Sequence, residues 1–224
     1  MDGNDGFIAT YQKVLAARKQ AEYCELRGQP LHKRVCRWGA LSASLMNTLL
    51  DMCPLGDGSL YESMVLDALA RTLHGVVDSE LARRQVPVQG GFCDIELPVC
   101  TEVSHGHRLW YEWSQYYGIK SLLVEVKNMR GKASYEDVNQ LRSYLEGAKR
   151  GECGMLVSRS GFTASAMSRM SSLLRDDRVL ILPLDHTDIK RLLEFSTVDS
   201  QKTMTYLRRK ENLLFRFNDR PFRG

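Results

Sequence analysis

The sequence lacks any apolar run of the length that crosses a bilayer, which takes about 20 residues. Its 224 residues are 43% hydrophobic and 26% charged, as in ordinary globular proteins. The first residues, Met1 to Asp5, are polar and acidic, whereas a secretory signal opens basic and then turns apolar. These features predict a cytoplasmic protein with no membrane partner.

The sequence also lacks a CxxC pair, an internal repeat and a low-complexity segment, which argues against zinc ribbons, solenoids and long disordered tails. Its six cysteines are scattered, and a chain of this length needs no cross-links to bury a core. We therefore expect buried, reduced thiols. The cysteines are Cys24, Cys36, Cys53, Cys93, Cys100 and Cys153.

The net charge of +4 is mildly basic, and the basic residues are unevenly distributed. Between Lys120 and Arg175 there are ten lysines and arginines against five acidic residues. A solvated helical face explains such a run more often than phosphate binding does. Both interpretations stay open on charge alone.

The first half of the chain predicts helices followed by strands. Helical spacing runs from about residue 8 to residue 52, and Cys53 to Gly58 breaks it. Ser59 and Glu62 have capping-box spacing at the start of the next helix. Two strands, 85–89 and 92–99, flank a tight turn at Gly90-Gly91.

The second half alternates strands and helices. A strand at 121–127 precedes an amphipathic helix at 135–149, and short apolar strands at 155–157 and 179–184 flank a helix at 163–174. This order predicts an α/β fold with a mixed sheet between helices. We place the main domain at residues 58–196, after an N-terminal helical appendage (1–57) and before a basic C-terminal tail (197–224).

Strand 121–127 contains two charged residues in an apolar setting. Side chains alternate along a strand, so Glu125 and Lys127 share one face. Burying a carboxylate and an ammonium costs several kcal/mol each unless they are paired or bound to a metal. A structural Glu-Lys pair is the simplest interpretation.

Asp94, in the preceding hairpin, favours a chemical role. Asp94 shares a face with Glu96, and an adjacent strand could bring Asp94 close to Glu125. Two neighbouring carboxylates repel each other unless a cation lies between them, and oxygen ligands of this kind suit Mg²⁺ or Mn²⁺. Lys127 beside such a site could orient or deprotonate an attacking water.

These residues resemble the D…ExK signature of the PD-(D/E)XK nuclease superfamily, whose fold is the restriction-endonuclease-like α/β fold. Gly91-Phe92-Cys93-Asp94 is similar to the GxxD of RecB-type members, and Gln140 to Tyr144 matches their QxxxY helix. Gly161-Phe162-Thr163 and Leu182-Pro183-Leu184-Asp185 resemble Mrr-type restriction endonucleases. The motifs cover about Ser59 to Phe195.

The resemblance implies a Mg²⁺-dependent nuclease, with Mn²⁺ as a substitute, that hydrolyses DNA. Asp94 and Glu125 would bind the metal, Lys127 would prepare the water, and Gln140 with Tyr144 would orient the lysine or a phosphate. Glu62 would be a third metal ligand or an indirect base, unless it serves only as a capping residue. The nearby basic residues Lys120, Arg130, Lys132 and Arg142 are the candidates for nucleic-acid contacts.

Two features depart from the pattern: no proline precedes Asp94, and the gap from Asp94 to Glu125 is long. An inserted strand around His107 to Trp113 would explain the gap. The aromatic residues in that region predict either base stacking or, more often, a small packed core. Glu96 either assists Asp94 or is a surface carboxylate.

By family analogy, the expected setting is defence against foreign DNA, as a homodimer or within a larger defence complex. A repair or recombination nuclease is the first alternative. The second is a DNA-binding or assembly module that uses the same fold without cleaving. Cleavage at ends or at internal sites separates the two nucleases, and metal-dependent cleavage separates both from the module.

Overall fold

The computed structural model of the chain describes residues 43–100, 108–148, 150–196 and 200–217. Within these ranges seven helices pack around one five-stranded mixed sheet, so the α/β prediction is confirmed. The elements are α1 (Ala43–Met52), α2 (Gly58–Thr72), β1 (Arg83–Val88), β2 (Gly91–Pro98), α3 (Arg108–Tyr117), β3 (Ser121–Lys127), α4 (Tyr135–Ala148), β4 (Cys153–Ser158), α5 (Ala164–Ser172), β5 (Leu180–Asp185), α6 (His186–Ser196) and α7 (Ser200–Phe217). A short π-helical turn, Leu173–Asp177, extends α5.

The strands lie in the sheet in chain order, β1-β2-β3-β4-β5. β2 pairs antiparallel with both of its neighbours, β1 and β3, whereas β3, β4 and β5 run parallel. The parallel pairs require crossover connections, which α4 and α5 provide. The sheet therefore joins an antiparallel half to a parallel half at β3.

The two faces of β3 contact different helices. Leu123 pairs with Gly154 of β4. Leu141 and Leu145 of α4 lie directly over Gly154, because a Cβ added to this glycine would be 3.5 Å from each of the two leucine side chains. Glu125 and Lys127 share this face with Leu123, because side chains alternate along a strand. On the opposite face, Arg84 of β1 donates hydrogen bonds to side chains of α2. The sheet thus lies between α4 and α2.

The predicted start of the second helix is wrong. α2 begins at Gly58, and its N-cap is Asp57, whose carboxylate accepts a hydrogen bond from the Leu60 amide at 3.0 Å. Ser59 therefore lies inside the first turn, and Glu62 makes no capping box. Asp57 takes the N-cap position because its carboxylate, one residue before the helix, is next to the free amides of the first turn.

The predicted inserted strand around residues 107–113 is also wrong. The described part of that segment forms α3, in which Trp110, Trp113 and Tyr117 recur at helical spacing and are at most 4% exposed. Trp113 and Tyr117 donate hydrogen bonds to the buried carboxylate of Glu211 in α7. Aromatic residues are common in strands, but this segment is a helix because the helical form buries one continuous aromatic face.

The C-terminal segment contains α7, whose Leu207 and Leu214 are buried. Ser171 of α5 donates a hydrogen bond to the Leu214 carbonyl at 2.7 Å, which joins α7 to the helical layer. Of the helical stretch predicted at residues 8–52, α1 is described and the part before residue 43 lies outside the described residues.

None of the described helices combines the length and the apolar character that a bilayer crossing needs. The four cysteines in the described ranges are free thiols, and three of them are buried: Cys53, Cys93 and Cys153. Cys100 is half-buried. Cys24 and Cys36 lie outside the described residues.

Candidate active site

Asp94 and Glu125 meet at the boundary between β2 and β3. The antiparallel register pairs Ile95 with Val124, and one further step places Asp94 opposite Glu125. Residues directly opposite each other in an antiparallel pair point to the same face. The two carboxylates therefore lie side by side on the face that contacts α4.

Asp94 is tied to the backbone of β3. Its Oδ2 accepts a hydrogen bond from the Val126 amide at 2.8 Å. Burial is the largest influence on Asp94 and raises its pKa, against the effect of the Val126 hydrogen bond, while repulsion from Glu62 adds to the increase. The backbone therefore orients this carboxylate, and among the described residues attraction to Lys127 offsets only part of the effect of burial on it.

Glu125 is almost completely buried, with 3% of its surface exposed. Its Oε1 accepts a hydrogen bond from Lys127 Nζ at 2.9 Å, whereas its buried Oε2 has no hydrogen-bond partner among the described residues. Burial, followed by repulsion from Asp94, raises the pKa of Glu125 to about 7. A buried acid with an unpartnered oxygen is costly unless another group binds it.

Lys127 lies among three oxygen acceptors. Besides Glu125, its Nζ approaches Asp137 Oδ1 at 3.4 Å and donates to Gln140 Oε1 at 3.3 Å. Burial acts to lower the pKa of Lys127, but the hydrogen bond and attraction to Glu125, together with Asp137, outweigh burial and raise it. The side chain is therefore an ammonium at neutral pH.

Asp137 was missed by the sequence analysis. Its Oδ2 accepts a hydrogen bond from the Ser134 amide at 2.7 Å at the start of α4. The spacing Ser134-x-x-Asp137 is a capping-box pattern that the sequence contains. Because Asp137 lies three residues before Gln140, both face the same side of the helix, which was the available signal.

Gln140 and Tyr144 are hydrogen-bonded to each other, as expected for side chains one helical turn apart. Gln140 Nε2 donates to the Tyr144 hydroxyl at 2.6 Å, and Gln140 Oε1 is the acceptor of Lys127. Tyr144 is buried against the hairpin, where a Cβ on Gly91 would lie 3.2 Å from its hydroxyl. Gly91 therefore leaves room for the tyrosine that holds Gln140.

Glu62 reaches the site from α2, on the other side of the sheet. Its Oε2 accepts hydrogen bonds from Arg84 Nη2 at 2.8 Å and from Gln85 Nε2 at 3.0 Å. The same Gln85 amide lies 3.4 Å from Asp94 Oδ1. Gln85 was not singled out from the sequence, because nothing in its local pattern distinguishes it.

Glu96 is not the surface carboxylate that its place near a strand end suggested. Its side chain is completely buried, and it pairs with Arg83 at 3.1 Å and with Arg150. Register explains the burial, because Glu96 lies opposite Leu123 in the middle of the antiparallel half. Two arginines hold its charge, which leaves Asp94 as the acidic residue of β2 beside Glu125.

The four predicted nucleic-acid contacts occupy different surroundings. Arg130 and Lys132 are exposed in the loop that follows Lys127. Arg142 is engaged by Glu146 and Glu152 at 2.8 and 2.9 Å. Lys120 precedes the first residue of β3 and so lies at the strand end opposite to Lys127, roughly 20 Å away at the usual rise per residue. Two of the four, Arg130 and Lys132, thus follow the Lys127 end of β3 in the chain, whereas the other two do not.

The donor set fits a small divalent cation. Asp94 and Glu125 present oxygens side by side, and Glu125 Oε2 is unpartnered among the described residues. Mg²⁺ is typically held by one or two carboxylates and keeps several waters. In the described ranges no group of three or more His, Cys, Asp or Glu side chains forms a metal-binding cluster, so the fit is to this open type of site.

We expect the metal-free protein to lose stability between pH 5 and 8 because of Glu125. Its pKa is about 7 when folded, against an ordinary value of 4.5, so its contribution is complete below pH 4.5 and is lost as the pH rises through 7. The loss is on the order of 3 kcal/mol. Glu125→Gln removes the titration, and we would measure urea unfolding of both proteins in EDTA from pH 5 to 8. A stability difference between them that stays constant over this range contradicts the prediction.

Together these contacts place two neighbouring carboxylates of raised pKa beside a lysine ammonium. The lysine also donates to the amide of Gln140, which is in turn hydrogen-bonded to the phenol of Tyr144. Such a site can bind a divalent cation and stabilise negative charge on a substrate. Comparisons of the chain with known protein families, with curated proteins and with solved structures found no match.

Proposed function

We propose that the chain is a Mg²⁺-dependent nuclease of the PD-(D/E)XK type that hydrolyses DNA phosphodiester bonds. The observation that carries the proposal is the meeting of Asp94, Glu125 and Lys127 on one face of the sheet, with Lys127 Nζ 2.9 Å from Glu125. The three residues come from two strands and are more than 30 positions apart at the extremes, so chance local patterning does not account for their convergence.

In the proposed reaction Asp94 and Glu125 hold the metal. Mg²⁺, when bound, polarises the phosphate and lowers the pKa of a water. Lys127 would donate hydrogen bonds to an attacking water and to the phosphate, and its charge would stabilise the transition state. The bond from the water oxygen to phosphorus would form as the bond to the leaving sugar oxygen breaks, and the proton that the water gives up to solvent would balance the one that the sugar oxygen takes from it. Because the pKa of Lys127 is raised, orientation of the water is favoured over its deprotonation by the lysine.

Gln140, Tyr144 and Asp137 act as positioning residues in this proposal. Gln140 accepts a hydrogen bond from Lys127 and donates one to Tyr144, which is buried and therefore fixed. Asp137 keeps the ammonium charged from the side of α4. The exposed Arg130 and Lys132, in the loop after Lys127, suit contacts with a phosphate backbone.

The test is cleavage by the pure protein of linear and closed circular duplex DNA, single-stranded DNA and RNA. We expect cleavage of DNA with Mg²⁺ or Mn²⁺ and none with EDTA. Asp94→Asn is the matched control, because it preserves the size of the side chain and an acceptor for the Val126 amide while removing the charge. Its cleavage should fall at least about a hundredfold.

Metal-independent cleavage, or none of any substrate, would overturn the proposed function. Cleavage of closed circular DNA would identify an endonuclease, as expected for a defence role. Cleavage restricted to linear DNA would instead favour the alternative of a repair or recombination nuclease.

A further inference from the structure

β1 departs from regular strand geometry at one residue, Gln85. The residues on either side of it are paired in one register, Arg84 with Ile95 and Val86 with Cys93. This register places Gln85 opposite Asp94, yet the two residues do not form a strand pair. Its φ is +50°, in the left-handed region that side chains with a Cβ rarely adopt. Backbone strain of this kind persists where the surroundings enforce it, frequently at functional sites.

The amide of Gln85 lies between two carboxylates that belong to different layers. Its Nε2 is 3.0 Å from Glu62 Oε2 on α2 and 3.4 Å from Asp94 Oδ1 on β2. α2 covers one face of the sheet, whereas Asp94 shares the other face with Glu125. The irregular residue is therefore the one that joins Glu62 to the site.

A competing cation holds Glu62 from the other side. Arg84 Nη2 binds the same Glu62 Oε2 at 2.8 Å and also contacts Ser59, while its Nη1 contacts Ser63. Without a second partner, Glu62 would be free to turn entirely toward Arg84. A neutral amide can oppose this attraction by bonding to both carboxylates without cancelling their charge, which remains available to a cation.

We infer that Gln85 is a positioning residue that keeps the Glu62 carboxylate near Asp94, so that the negative charge of Glu62 adds to the attraction of Asp94 and Glu125 for the cation. The left-handed backbone at Gln85, directly opposite Asp94, places the amide for this contact. The inference rests on the proposed function, because it assumes a divalent cation at Asp94 and Glu125.

The test is calorimetric titration with Mn²⁺ in the absence of nucleic acid. Gln85→Gly removes the amide but suits the left-handed backbone, so the fold is retained. We expect Gln85→Gly and Glu62→Gln each to weaken Mn²⁺ binding about tenfold, the scale of loss seen when groups around the direct ligands of a metal are removed. The double variant should bind no more weakly than Glu62→Gln alone, because Gln85 acts through Glu62.

Gln89→Gly, at another glutamine of the same hairpin, is the matched control and should bind Mn²⁺ like the wild type. Gln85→Asn retains a shorter amide on a residue that tolerates the left-handed region, and it should recover part of the affinity. Thermal unfolding of each variant shows that the changes are not losses of folding.

Wild-type affinity in Gln85→Gly, or additive losses in the double variant, would overturn the role of Gln85 while leaving the proposed function intact. A wild-type protein that binds Mn²⁺ no better than Asp94→Asn would overturn the proposed function and this inference with it. The two failures are distinguished by the wild-type titration alone.

Discussion

Lys127→Ala is expected to reduce DNA cleavage by roughly 10² to 10³ while Mn²⁺ binding persists. The lysine is an ammonium paired with Glu125 and Asp137, so its removal takes away the positive charge that faces the substrate phosphate but neither metal-binding carboxylate. Loss of the charge also raises the pKa of Glu125 further, since Lys127 opposes that increase in the wild type. The Mn²⁺ titration should therefore be repeated at several pH values, because the raised pKa of Glu125 moves metal binding by the variant to higher pH.

Lys132→Ala is the matched control for this variant. Lys132 is an exposed lysine five positions further along the chain, so its loss should weaken DNA binding slightly and leave the maximal rate close to that of the wild type. Single-turnover cleavage at saturating DNA separates the two effects. A Lys127→Ala protein that cleaves at nearly the wild-type rate would contradict the mechanism.

Gly151→Ala should destabilise the protein by about 3 kcal/mol or more, the scale of combined backbone strain and overpacking. Gly151 has φ +112°, and an added Cβ would lie 2.6 Å from the Gly118 carbonyl oxygen and 2.8 Å from Ile119 Cα. These contacts are with backbone, which has no flexible end to move aside. The neighbouring Arg150 carbonyl accepts the Lys120 amide at 2.8 Å, so a shift would disturb the start of β3.

Gly131→Ala is the control for the loss of a glycine as such. An added Cβ there would meet nothing within 4 Å, and we expect a change within about 0.5 kcal/mol. Urea unfolding of both variants beside the wild type measures the difference. Equal stabilities of Gly151→Ala and Gly131→Ala would show that the close contact at Gly151 relaxes easily.

The elements that the sequence predicted well are those with strong local patterns. β3 was predicted at residues 121–127, the range observed, because its short run of leucine and valine residues is typical of a buried strand, and all of its residues except Lys127 are buried. The α3 region was predicted as a strand to account for the long gap between Asp94 and Glu125. Its helical face is buried partly by contacts of Trp113 and Tyr117 with Glu211, which is far away in the chain. Distant contacts of this kind leave no local signal.

The same distinction applies to the candidate site. Glu125, Lys127, Gln140 and Tyr144 were found because their spacings on one strand and one helix are readable from the sequence. Gln85 and the burial of Glu96 depend on the register between strands, which the sequence pattern did not supply. Asp137 was readable from its capping pattern but its proximity to Lys127 depends on how α4 packs against β3.

The order of the strands has a consequence for how copies of the chain can associate. β1 and β5 are the two margins of the sheet, and each contains a proline, Pro87 and Pro183. Proline offers no amide hydrogen, and the left-handed Gln85 further interrupts the free side of β1. In the sheet that the described residues form, both margins thus resist the addition of a strand from a second molecule, which disfavours edge-to-edge aggregation through this sheet.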